Sequence, residues 1–259
     1  ANMPVGVFAN ALTPDLELPQ GMFLNEFSDT LLMPRYNLGA SSTAGLKFKG
    51  FAKGVDFSLS YVWGYDGLPF ATQNTFIPID AMGGTNINSQ LSFSRTHIFG
   101  VDMATSIAGI GFWAEAAAFL PEKDVIMTND LSAFYPMSPV PVTMDSLLLD
   151  SSKPYIKFVV GGDYNFADGS YINFQFLHGF INERGNENLN DYFFLRYEKK
   201  FFNEKLKIVP IGGGFIVADW NKIKYNYAIV YMPEIAYKTT DNVEIALSAG
   251  IFNGKGDNL

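Results

Sequence analysis

Cysteine is absent from the 259 residues, which removes disulfides, zinc-thiolate sites and thiol catalysis together and is compatible with an oxidising periplasm. Histidine is nearly absent, with only His97 and His178. Basic charge is scarce: 18 Lys and Arg against 26 Asp and Glu leave a net charge of −8, which argues against a nucleic-acid partner. No apolar run reaches the roughly 18 residues of a transmembrane helix. The best stretch, Ser106 to Leu120, is shorter and carries Glu115. No signal peptide precedes Ala1, so an exported protein of this sequence is expected to be a mature or trimmed product.

Aromatic side chains are plentiful at 15%, with 24 Phe and 13 Tyr. A soluble core seldom needs so many rings, whereas the interfacial belts of a membrane protein do. Alternation with period two recurs at least ten times, the pattern of a strand with two unlike faces. Val55, Phe57, Leu59, Tyr61 and Trp63 share one face against Asp56, Ser58, Ser60 and Val62. Leu46 and Phe48 oppose Lys47 and Lys49; Phe99, Val101 and Met103 oppose Asp102; Ile110, Phe112 and Ala114 oppose Trp113 and Glu115. Further on, Ile156, Phe158, Val160 and Tyr164 oppose Lys157, Gly161 and Asp163, and Ile172, Phe174, Phe176, His178 and Phe180 oppose Asn173 and Gln175. Phe193, Leu195 and Tyr197 oppose Arg196 and Glu198. A long strand is expected over 225–238, with Tyr225 to Tyr237 opposing Glu234 and Lys238, and another carries Val243, Ile245 and Leu247 against Glu244. The strand over 206–217 is less regular, with Pro210 and the run Gly212-Gly213-Gly214, which reads as a kinked or flattened strand because no Gly-Lys-Ser/Thr follows it. An eleventh strand is expected near Val5 to Leu12.

The connections sort into two kinds. Five are tight: Ala52-Lys53-Gly54, Ala108-Gly109, Ala167-Asp168-Gly169, Asn203-Glu204 and Thr240-Asp241-Asn242. Alternating with them are long ones, over residues 13–40, 64–87, 120–153, 181–191 and 218–223. Short turns at one end and long loops at the other form the asymmetry of bacterial outer-membrane barrels. A sandwich or propeller has no reason to sort its loops this way. The expected fold is therefore all-β: a single transmembrane, antiparallel, up-and-down β-barrel domain of about 10–11 strands. It is expected to be an incomplete portion of a larger barrel, without N-terminal strands and without the closing C-terminal strand.

These motifs also carry a resemblance. The stretches FAKGVDFSLSYVWGYDGLP within 45–69, HIFGVDMATSIAGIGFWAEAAAF (97–119), VVGGDYNFADGSYINFQFLHGF (159–180), YEKKFFNEKLKI (197–208) and PEIAYKTTDNVEIALSAGIFNG (233–254) resemble a family of uncharacterised proteobacterial outer-membrane barrels, porin-like and filed as a domain of unknown function. The resemblance runs from about Val7 onward. It implies a barrel in the bacterial outer membrane, with further strands on either side of this chain, and it supplies no catalytic residues.

If the apolar faces meet lipid, the opposite faces line a lumen. Its candidate pore-lining residues are Lys47, Lys49, Asp56, Asp102, Glu115, Lys157, Asp163, Arg196, Glu198, Lys200, Glu234, Lys238 and Glu244. Their charges nearly cancel, so they read as cross-strand ion pairs, as charge rings that tune a polar channel, or as both. The long loops and residues 253–259 together hold sixteen acids against six bases. They read as solvated loops, as a mouth that attracts cations, or as holders of divalent cations beside anionic lipid. Ser94 and Asp102 lie near His97 in sequence, but no nucleophile elbow accompanies them; no enzyme, cofactor or resident metal is expected. The expected function is passage of small solutes across the outer membrane, with lipid and lipopolysaccharide as surroundings and other outer-membrane proteins as candidate partners. The rival is a plugged barrel with a structural, docking or adhesion role, and less weight falls on an enzyme in the barrel wall.

Overall fold

The computed structural model describes residues 23–34, 37–80, 82–240 and 242–256. The strand expected near Val5 to Leu12, the charges of Asp15, Glu17, Arg35 and Asp257, and the middle residue of the turn at 240–242 lie outside the described residues. The first nine strands are β1 (Phe23–Leu32), β2 (Ala44–Ala52), β3 (Val55–Tyr65), β4 (Phe70–Pro78), β5 (Gly84–Ser92), β6 (Arg95–Ile107), β7 (Ile110–Pro121), β8 (Val125–Asp130) and β9 (Thr143–Leu149). Eight more follow: β10 (Tyr155–Asn165), β11 (Ser170–His178), β12 (Asp191–Phe201), β13 (Leu206–Val217), β14 (Tyr227–Tyr231), β15 (Glu234–Thr240), β16 (Val243–Ser248) and β17 (Ile251–Lys255). One helical turn at Leu38–Ser41 and three single 3-10 turns are the other regular elements among the described residues. Among the described residues no helix is long and apolar enough to cross a membrane.

The chain divides into two compact units. One comprises Ala1–Gly45, Val62–Ile98 and Phe119–Pro154; the other comprises Leu46–Tyr61, Phe99–Ala118 and Tyr155–Leu259. Strands β2, β3, β6 and β7 contribute residues to both.

The second unit is built on a twelve-stranded sheet in the order β16-β15-β13-β12-β11-β10-β7-β6-β3-β2, with β14 beside β13 and β17 beside β14. Consecutive strands are neighbours from β2 to β3, β6 to β7, β10 to β13 and β15 to β16. Strands β4, β5, β8 and β9 intervene in sequence between β3 and β6 and between β7 and β10, while β13 pairs with both β14 and β15 and β17 returns to β14. The tight turns expected at Lys53-Gly54 and Ala108-Gly109 have positive φ at both positions (51° and 83°, 53° and 83°), the type I′ geometry whose twist suits a two-residue hairpin. The sheet does not close on itself: β2 bounds one edge and β16 with β17 the other.

The strand expected over 225–238 is broken into β14 and β15. Proline 233 has no N–H to give a ladder, so the chain changes partners there. β14 pairs with Gly213–Val217 of β13, and β15 pairs with Leu206–Val209. The Met232 amide donates to the Gly212 carbonyl at the break (2.6 Å). Gly213 sits at φ +140°, and a Cβ there would lie 1.9 Å from the Val230 carbonyl oxygen. The glycine run is thus a close backbone approach at a kink. Residues 253–255, expected to open a loop over 253–259, belong instead to β17, which extends the ladder beside β14.

Cross-strand pairing puts the apolar alternants on one face. Val160, Phe176, Phe193, Phe215 and Ile229 are successive partners across β10 to β14. Their rings touch in series: Phe158 to Phe176 at 5.6 Å, Phe176 to Phe193 at 4.8 Å, Phe193 to Phe215 at 6.4 Å and Phe215 to Tyr227 at 6.1 Å. On the same principle Tyr61 meets Phe99 at 5.0 Å. Phe180 departs from the expected face. Gly179 has φ +81°, the alternation is lost, and the Phe180 ring packs on Tyr192 at 5.4 Å, whose side chain lies opposite to that of Phe193.

The first unit overturns the expectation of irregular long loops. Residues expected as the loops 13–40, 64–87 and 120–153 supply a five-stranded sheet ordered β1-β5-β4-β8-β9. Two of its pairings, β1 with β5 and β4 with β8, are parallel. Phe76 and Ile87 are partners across β4 and β5, and with Leu91, Val125, Met127 and Leu149 they are buried. Buried Asn74 is satisfied by its neighbours, accepting from the Ser89 hydroxyl (2.7 Å) and donating to Asn129 (2.9 Å). Asn25 donates to Asn86 (3.0 Å) and Ser28 to Asn88 (2.5 Å), continuing this polar ladder to the edge strand. The loops are long because they contain strands.

Candidate functional site

The candidate site is the polar face of the twelve-stranded sheet. Its charges fall into groups. Lys47 on β2 reaches Asp102 on β6 at 3.1 Å, and the Ser58 hydroxyl of β3 donates to the same carboxylate. Three strands thus share one ion pair, and Ser58 is only 2% exposed beneath it. Lys49, Asp56 and Glu115 stand exposed on their strands. On β10, the Lys157 ammonium donates to the Phe180 carbonyl (2.6 Å) and tethers the segment after β11. Asp163 accepts from the Tyr171 hydroxyl (3.1 Å) across the β10–β11 hairpin.

The densest group lies toward the turns at 202–205 and 240–242. Arg196 donates through Nε and Nη2 to Glu198 Oε2 (3.1 and 3.0 Å). Lys207 is 2.8 Å from Glu234 and 3.9 Å from Glu244. Lys200 lies 3.7 Å from Glu204, and Lys238 is the ladder partner of Glu244. Glu198, Lys200, Glu204, Lys207, Lys238 and Glu244, with Lys205 and Ala236, line a polar cavity of about 230 Å³. The structure therefore brings together Arg196, Glu198, Lys200, Glu234, Lys238 and Glu244 of the expected residues, with Lys47 and Asp102 as a separate pair. Lys207 was not among them. The alternation Lys205, Lys207, Val209 was its signal, obscured by Pro210 three residues on. With Lys207 counted, the face carries seven acids and seven bases.

The loop acids have a second role that sequence did not reveal. Asp66 accepts from the Leu68 amide (3.1 Å), and Asp80 from the amides of Met82 (2.9 Å) and Gly84 (3.0 Å). Hydrogen bonds from the Ser151 hydroxyl and amide hold the Asp124 carboxyl below the ordinary carboxylate value. Ser132 does the same for Asp130, and Ser152, helped by Lys153, for Asp150. Glu183 accepts from the amides of Phe180 (2.7 Å) and Asn190 (2.9 Å). At the opposite end of the strands, Lys199 and then Ser170 lower the Asp168 carboxyl in its tight turn. Ionised carboxylates are strong acceptors for turn amides, so these acids fold the loops as well as charging them. Among the described residues no group of three or more His, Asp or Glu is arranged to hold a metal ion.

Each histidine stands beside a carboxylate. His97 Nε2 is 3.6 Å from Glu122, while Asp102 is engaged by Lys47. His178 Nδ1 is 2.7 Å from Asp191, which also accepts from the Trp220 indole, and the His178 ring packs on Phe158 at 5.3 Å. In the loop unit, Arg95 lies over the rings of Trp63 (4.1 Å) and Tyr65 (4.7 Å). It also donates to the carbonyls of Gly39 (3.1 Å) and Ser42 (3.0 Å).

Comparison with known proteins adds no relative: no family model, no curated protein and no solved structure matches the chain.

Proposed function

We propose that this chain is the wall of a bacterial outer-membrane channel for small solutes. One observation carries the reading: the apolar face of the twelve-stranded sheet is exposed along strand after strand. Leu46, Phe48, Leu59, Phe99, Val101 and Phe112 are exposed on β2 to β7, and Ile156, Phe174, Leu195, Ile211, Ile235 and Ile245 on β10 to β16. A soluble monomer seldom exposes contiguous apolar patches beyond a few hundred Å²; lipid removes the cost. Lipid also offers no partner to open strand edges, so further strands joining β2 to β16 and β17 would complete a barrel. The charged face then lines the lumen. Balanced ion pairs there suit polar solutes of either sign, and the acidic loops gather cations diffusely. The resemblance to uncharacterised outer-membrane barrels supports the same location, with lipopolysaccharide around the wall and outer-membrane proteins as neighbours.

A second reading, a plugged barrel with a docking role, is favoured by the folding of the long loops into a sheet with its own buried core. Planar-bilayer recording on the full-length protein separates the two. Discrete conductance steps are the expected result; a folded, inserted protein that never conducts would overturn the channel in favour of docking.

A further inference from the structure

The loop unit contains a cavity of about 390 Å³, within the 300–1,000 Å³ of small-molecule sites. We infer that it is a binding site for a small, uncharged, polyhydroxylated solute of saccharide type. The inference rests on the loop unit's own geometry and holds whether or not the barrel conducts.

The walls carry three kinds of group. Tyr65, Phe70 and Phe93 supply aromatic surface, which suits the apolar C–H faces of a sugar ring. Thr72, Ser92 and Ser94 supply hydroxyls, each able to donate and accept. Two of these are already oriented, since Ser92 donates to Thr72 (3.1 Å) and Thr72 to the Gln90 carbonyl (3.3 Å). Glu122 and Asp124 supply carboxylate acceptors. Asp124 is fixed by the Ser151 hydroxyl (2.6 Å) and amide (2.8 Å) through Oδ1 alone, which leaves Oδ2 turned to other donors. Glu122 is held by the Trp63 indole. Oriented acceptors beside hydroxyls and rings match a ligand rich in O–H donors.

The same walls are poor at recognising anions. Arg95 lines the cavity, but its guanidinium is stacked on Trp63 and Tyr65 and its Nη2 donates to two backbone carbonyls, which occupies part of the fork that a carboxylate or phosphate would need. Lys123 is the remaining cation, exposed and flanked in sequence by Glu122 and Asp124. The charges offset one another, and hydroxyl and ring contacts are left to discriminate.

The test is calorimetric titration of the full-length protein in detergent with glucose and maltose as neutral probes, ethanolamine as a cation and glycerate as an anion. Saturable binding of a sugar is expected, weakened about tenfold by Ser94→Ala, the loss expected for one hydrogen bond. Phe93→Ala is expected to weaken it at least as much. Should Phe93→Ala not fold, Ser94→Ala retains the test, because it removes only a hydroxyl. Absence of saturable sugar binding, tighter binding of ethanolamine or glycerate, or sugar affinity indifferent to Ser94→Ala would each overturn the assignment.

Discussion

Leu59 and Ser58 are neighbours on β3 with opposite surroundings: Leu59 is 54% exposed and Ser58 is 2% exposed. If the apolar face meets lipid, Leu59→Lys costs about 2–4 kcal/mol of folding stability in bilayers. Gln175→Lys, on the polar face between Asn173 and Leu177, costs much less. Urea unfolding of both variants in vesicles measures the difference, and a larger loss at Gln175 would mean that the two faces are exchanged. Side-chain direction was legible in the sequence wherever alternation ran unbroken, as it does from Val55 to Tyr61. It failed at Phe180, where a positive φ at Gly179 reverses the side without changing the composition. It also failed at Lys207, whose local alternation is interrupted at Pro210 and whose ion-pair partners Glu234 and Glu244 belong to later strands.

At the scale of elements, much of the large sheet was legible because hairpins such as β2–β3, β6–β7 and β10–β11 are local, a strand followed by a turn and then its partner, even though the β3–β6 and β7–β10 pairings skip over other strands. The loop sheet was not. Its β1–β5 pairing joins residues about sixty apart, and its core residues look like ordinary loop content until Phe76 is set beside Ile87. The break at Pro233 was written in the sequence, but alternation on both sides of it masked the change of partner. The acids that brace this sheet make it sensitive to pH. Asp124, Asp130 and Asp150 have folded-state pKa values depressed below 3.8. Their contribution is therefore complete above that value and is lost as pH falls through the lower folded values. Hydrogen exchange, corrected for intrinsic rates, is expected to show the Ser132, Ser151 and Ser152 amides protected at pH 6 and released near pH 2. Asp124→Ala should release Ser151 at pH 6 as well. Unchanged protection across this range would show that the carboxylates do not hold these turns.

For the whole molecule the sign and place of charge decide what a channel of this kind would prefer. Fixed acids on the loops attract cations, while the balanced polar face discriminates weakly. Cation preference is expected to be modest at low salt and to fade as the Debye length contracts from about 30 Å at 0.01 M to about 3 Å at 1 M. Reversal potentials across a salt gradient measure it. Glu26→Gln with Asp29→Asn, both exposed on β1, should lower the preference at low salt only. Asp102→Asn leaves Lys47 without its carboxylate and should shift conduction toward anions even at high salt. An anion-selective wild-type channel would contradict the acidic mouth. Identical behaviour of the two variants would contradict the separation of mouth from lumen.

The parallel pairings of the loop sheet also set an order of events. Ser28 meets Asn88 and Asn74 meets Asn129 across 60 and 55 residues of chain, whereas each hairpin of the large sheet closes over a few. Closing long loops costs more entropy before any contact is gained. The local hairpins can therefore form early, while the parallel pairings of the loop sheet must wait until segments from three separate parts of the chain have been brought together. In a refolding time course followed by pulsed hydrogen exchange, amides of β10 to β13 should acquire protection first and those of β1, whose only ladder partner lies about sixty residues away, last. Simultaneous protection would refute that sequence. A chain arrested midway would then be one with a formed ladder and three unjoined ends of a sheet still searching for each other.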